Sequence, residues 1–156
     1  MIPITWNLLN QFLTKKLIEF ITYSKIMETK NDYVEFSVKD GIMYSIFTKD
    51  VTIDLEVAKA MIELRHQISK NENQYWCSDV SNVKSYTKEA RDYADKYGQE
   101  YLYANAVVVN SHVTKFIFNI FLKIKNPAIP FKAFSKKEDA VAWLKEIKKK
   151  NENNKN

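Results

Sequence analysis

The sequence predicts an α/β domain, a mixed sheet of about five strands covered by four helices in the order ββαβαβαβα. Three observations carry this. YVEFSV, from Tyr33, alternates apolar and polar residues, Asp40-Gly41 supplies a turn, and IMYSIF brings the chain back, so the sheet opens with an antiparallel hairpin. AVVV, running into Asn110-Ser111, is a continuous β-branched stretch of the kind buried on both faces in a parallel sheet. The segments between and after these have helical period, and strands alternating with helices build right-handed crossover units.

Residues 1–30 stand apart. Leu9, Phe12, Leu13, Leu17, Phe20 and Ile21 fall on one side of a helix, interrupted by Lys15, Lys16 and Glu19. Three readings fit: an amphipathic helix lying on a membrane, an extra helix packed on the domain, or sequence upstream of a start at Met27, which opens METKNDYVEF. The last is the expectation. It divides the chain into an extension over 1–30, a domain over 31–148 and a disordered polar tail over 149–156.

After the hairpin, Asp54 is placed to cap a helix that turns Val57, Met61, Leu64 and Ile68 to the core. Arg65 and Lys70 lie near its C-terminal end, where cations suit the dipole. NENQ ends that helix, and Gln74 to Val80 is the third strand. Thr87 caps a charge-rich, solvent-facing helix that stops at Gly98. The central unit, Ala104 to Phe134, follows. Ser111 stands at a helix N-cap, and Val113, Phe116, Ile117, Ile120, Phe121 and Ile124 form the expected core stripe. Pro127 and Pro130 end the helix before a strand at Phe131–Phe134. Ser135, with Glu138 three residues on, is the expected capping box of the last helix.

The formal charge of +5 is carried by the ends. Residues 1–30 contribute +2, residues 145–156 contribute +3, and residues 31–144 are balanced. A nucleic-acid binder concentrates basic residues on its folded face, so this distribution argues against one. A single cysteine, Cys77, excludes an intramolecular disulfide and a cysteine-based zinc site. No stretch approaches the roughly 20 apolar residues of a membrane span. The expectation is a cytoplasmic protein without metal or cofactor.

The order of elements and several motifs resemble the SpoIIAA-like, or STAS-type, α/β superfamily, most of all its small stand-alone bacterial members of unassigned function. The resemblance rests on DVSNV at Asp79–Val83, EAR at Glu89–Arg91, AVVVNS at Ala106–Ser111, IPFKAF at Ile129–Phe134 and EDAVAWL at Glu138–Leu144. It covers about residues 31–148 and implies binding and regulation more often than catalysis. The superfamily's anti-sigma-factor antagonists are switched by a phosphorylated serine at the start of the helix after a DLSGV-type strand. Lys88 stands about where that serine would be, and the D-S-S-G core is absent. Thr87 is the neighbouring candidate for phosphorylation.

Two candidate sites follow. In open α/β sheets ligands bind beyond the carboxyl ends of parallel strands. There the sequence places Asp79, Ser81 and Asn82, then Asn110, Ser111 and His112, a polar set suited to a small anion at a helix N-terminus. The ordinary alternative makes Ser111 a plain cap and His112 a solvated first-turn residue. Cys77, mid-strand beside Trp76, reads as a buried structural thiol. The second candidate is an apolar contact. Phe118 and Leu122 fall outside the expected core stripe, one turn apart on the side of Lys115. That makes them a homodimer face, a protein-partner site or an apolar-ligand groove, unless another part of the chain covers them. The reading is a non-enzymatic binding or regulatory module centred on the helix over 111–125. A ligand sensor or enzyme using the polar set is the alternative.

Overall fold

The structure is a computed structural model that describes residues 10–16, 29–30 and 33–154. Residues 10–16 are helical (α1); the three readings of the first thirty residues otherwise concern positions outside the described ones. Strand β1 (Thr29–Lys30) edges the sheet beside β2 (Val34–Lys39), and β3 (Ile42–Phe47) pairs antiparallel with β2. Asp40 and Gly41 both take positive φ, 55° and 72°, the left-handed pair that a two-residue turn between twisted strands needs. Lys148 Nζ donates to Asp40 O at 3.0 Å, so the last helix clamps this turn.

Strands β5 (Gln74–Asp79), β7 (Leu102–Val108) and β8 (Phe131–Phe134) join β3 in parallel, giving the order β1-β2-β3-β5-β7-β8. Apart from two-residue β1, this is the expected five-stranded mixed sheet. A second, two-stranded parallel sheet, β4 (Val51–Ile53) with β6 (Val83–Tyr86), was not anticipated; strands of three and four residues are too short to show a period.

Side chains alternate across the sheet and fill two cores. Phe36, Met43, Phe47 and Trp76 pack with α2 (Leu55–Ser69) and α3 (Lys88–Tyr97). Tyr75, Cys77, Ala104, Ala106 and Val108 pack on the other side with Ala140 and Leu144 of α5 (Lys137–Asn153). Asp54 Oδ1 accepts from Val57 N at 2.9 Å and Thr87 Oγ1 from Ala90 N at 3.3 Å, so both caps form as expected.

The expected row of α2 faces the core: Met61 is in it and Val57, Leu64 and Ile68 pack against it, with Ala58, Ile62, Arg65 and Ser69 buried beside them. Two expectations about helices are corrected. The cap position of α5 is Lys136, without a side-chain bond, because Ser135 Oγ lies instead 3.3 Å from His112 Nδ1. The tail is helical through Asn153, held by Glu146–Lys150 at 2.7 Å and by Asn151 Nδ2 donating to the Tyr75 hydroxyl at 3.0 Å. Among the described residues, no helix is long and apolar enough to cross a membrane.

Candidate functional site

Helix α4 (His112–Lys125) roofs a cavity of about 410 Å³ above the α2/α3 face of the sheet. The floor follows from strand alternation: Trp76, Ser78 and Val80 on and after β5, with Asn105 and Val107 of β7 paired beside them. Ala58, Met61 and Ile62 of α2 and Ala94 of α3 make the walls, and Phe118 and Leu122 hang from the roof. A volume of this size falls within the roughly 300–1,000 Å³ usual for small-molecule pockets. The wall is mostly carbon.

The orientation of α4 decides what this site is, and a polar residue sets it. Asn119 Nδ2 donates to Ala133 O at 3.1 Å while Asn119 Oδ1 accepts from Ala133 N at 2.9 Å. Strand β8 is the sheet edge, so its outer backbone groups need partners, and one amide satisfies both of a residue's groups. Docking Asn119 on the edge turns the face that carries Phe118 and Leu122 inward. Leu122 is only 8% exposed, and the Phe118 ring stands 6.0 Å from that of Phe131. The expected sidedness is therefore corrected. Phe116, Ile120 and Ile124, assigned to the core stripe, are 64%, 44% and 78% exposed. Lys115 is half-buried, on the side of Phe118.

The cavity is partly open to solvent, and polar latches at its rim join α4 and its following loop to the end of α3. Lys125 Nζ meets Asp95 Oδ2 at 2.9 Å, and Ala128 N donates to Gln99 Oε1 at 2.9 Å. Both latch side chains of the ion pair are about half-exposed, and such pairs contribute only about 0–1 kcal/mol. They can open at little cost.

Of the polar candidates, Asp79 ends β5, Ser81 and Asn82 follow it, and Asn110, Ser111 and His112 follow β7. Asn110 Nδ2 reaches Ser81 O at 3.4 Å and so ties the two strand ends together. Three more of these side chains bond backbone groups, while His112 Nδ1 lies 3.3 Å from Ser135 Oγ. Asp79 Oδ1 accepts from Ser81 N at 2.9 Å, Asn82 Nδ2 donates to Phe47 O at 2.7 Å, and Ser111 Oγ caps α4 by accepting from Thr114 N at 3.2 Å. Cys77 is buried, and burial, with Asp79 adding to it and Lys137 opposing, pushes its thiol up to about 11. A thiol held that far above neutrality is not a nucleophile. Among the described residues, no group of three or more His, Cys, Asp or Glu side chains could hold a metal.

Sequence reasoning missed Arg65. It is fully buried, stacks 5.1 Å over Trp76, and donates to Glu100 O at 2.9 Å and Gly98 O at 3.3 Å. Burial lowers its pKa to about 10, partly offset by the Glu100 carboxylate. Its Nη2 also meets His66 Nε2 at 3.2 Å; the guanidinium can only donate, so that ring nitrogen accepts and His66 is neutral there. Burial, then Arg65, hold the His66 pKa below its ordinary value against the pull of Glu100. The cluster fixes the turn into β7, where Tyr101 adopts a left-handed φ of 56°.

The chain belongs to the family described as "Domain of unknown function (DUF7793)", whose profile matches residues 36–148. No curated protein matches it. The chain is similar in structure to an uncharacterized protein from the DUF3478 family with a SpoIIAA-like fold, from Shewanella loihica PV-4. The TM-score is 0.54 at 15% identity, over 74% of this chain and 98% of that one. The fold is SpoIIAA-like, as the motifs implied.

Proposed function

We propose that the protein is a non-enzymatic binding or regulatory module whose working element is α4, and that it takes up an apolar small molecule beneath that helix. The cavity roofed by Phe118 and Leu122 carries this reading. Its walls bury carbon, its latches are weak, and an apolar guest would gain roughly 25 cal/mol for each Å² removed from water. A regulatory consequence follows if the guest shifts α4, because the same helix presents Phe116, Ile120 and Ile124 outward, where a protein partner or a second copy would feel the change.

N-phenyl-1-naphthylamine, a neutral probe that fluoresces in apolar surroundings, tests this. The full chain is expected to bind it saturably, one to one. Fluorescence that rises without saturation, or does not rise, contradicts the reading.

The adjoining polar set supports a second reading, an anion or small-ligand sensor, because Asn110 and Ser81 draw the strand ends together beside the N-terminus of α4. Thr87, at the N-cap of α3, is the place a phosphate would act in that scheme. Specific anion binding lost in Ser111→Ala/His112→Ala would favour it.

A further inference from the structure

The floor of the cavity holds a polar atom with nothing to bond. Asn105 is 4% exposed, sits mid-β7 beside Trp76, and lines the cavity, yet its Oδ1 is buried without a hydrogen-bond partner. Its backbone is accounted for, since Asn105 N donates to Pro130 O at 3.0 Å. The nearest strand neighbour cannot serve it: the Trp76 indole N–H is spent on Ser45 Oγ at 3.0 Å. A buried acceptor left unpaired costs free energy, and native interiors rarely tolerate one without a role. The ionised side chains that line the cavity, Arg91, Asp95 and Lys125, are all exposed ones, and the buried Arg65 guanidinium over Trp76 is not part of the lining and is bonded to Glu100 O and Gly98 O, so the floor offers an ion no free counter-charge.

We infer that the cavity's ligand is a neutral amphiphile, an apolar body with a hydrogen-bond donor head, an O–H or N–H, that bonds Asn105 Oδ1 as the amide turns toward the cavity. This rests on the apolar-ligand reading above and names the class of ligand. A donor head regains at the floor the bond it loses to water, while a carboxylate or ammonium there would be desolvated without a counter-ion. The apolar body fills the space between Val107, Met61 and Leu122.

The test displaces N-phenyl-1-naphthylamine from the full chain with three competitors at pH 8. They are 1-decanol, its isomer nonyl methyl ether, which has the same atoms but no donor, and decanoate. The expected order is 1-decanol tightest, about five- to tenfold over the ether, the worth of one hydrogen bond to an otherwise unpaired acceptor, with decanoate weakest. In Asn105→Leu the alcohol and the ether should bind within twofold of each other, with the ether no weaker than to the wild-type chain. Equal binding of alcohol and ether to the wild-type chain overturns the inference, since water would then satisfy Asn105. So does tightest binding by decanoate, or displacement by none of the three while the naphthylamine still binds. Failure of the naphthylamine itself to bind would remove the apolar-ligand reading and this inference with it. The wild-type comparison needs no variant, so it stands even if Asn105→Leu folds poorly.

Discussion

Arg65→Ala is expected to lower the stability of the domain by about 3 kcal/mol or more, because it leaves a void and two unpaired carbonyls where a buried cation had been. The guanidinium bonds Glu100 O and Gly98 O together, and its stem and plane cover the Trp76 ring. Losing it frees the turn that holds Tyr101 in a left-handed conformation, which a non-glycine residue keeps only when its surroundings enforce it. Arg65→Lys should fall between the two, since an ammonium restores the charge but lacks the planar fork that spans both carbonyls. Urea unfolding followed by far-UV circular dichroism measures the series. An alanine variant within about 1 kcal/mol of the wild-type chain, the range of an ordinary surface change, would show that the cluster is not the fixture of this turn.

Ala94→Trp is expected to weaken naphthylamine binding at least tenfold while leaving the fold intact. Ala94 lies on α3 at the cavity wall and is partly exposed, so a larger side chain there grows into the open space rather than into packed atoms. An indole occupies a large part of a 410 Å³ cavity and takes the place of the guest. Substitutions at partly exposed sites away from packed or polar features cost about 0.5 kcal/mol or less, so the unfolding midpoint should barely move. Unchanged affinity in a folded Ala94→Trp chain would place the probe elsewhere.

The parts of this fold that were legible in the sequence are those written in local chemistry. The hairpin is spelled by alternation around Asp40-Gly41, the caps of three helices by Asp54, Thr87 and Ser111, and the parallel strand by its β-branched run. What was not legible depends on partners distant in the chain. Arg65 looked like a dipole-compensating surface cation because the carbonyls it binds lie 33 and 35 residues further on. The facing of α4 was misjudged because its apolar residues run almost all the way round, so counting carbon could not choose a side. Asn119 chooses it, through an edge strand that its own segment does not reveal. A polar residue inside an apolar helix, four positions from the nearest lysines, Lys115 and Lys123, and one turn from Phe116, was the available signal. Asn105 in the middle of an otherwise apolar strand was another, a polar side chain where a parallel sheet wants none.

The most direct test of the central claim is to see where a guest sits. Methyl groups of Leu, Val, Ile and Met can be labelled in an otherwise deuterated full chain, and nuclear Overhauser effects recorded to bound 1-decanol. Contacts to Leu122, Val107 and Met61 are the predicted result, with Ile120 and Ile124 silent on the outer side of α4. Contacts confined to Ile120 and Ile124, with the inner methyls unperturbed, would contradict a cavity that binds and assign the apolar chemistry of this helix to its outer surface.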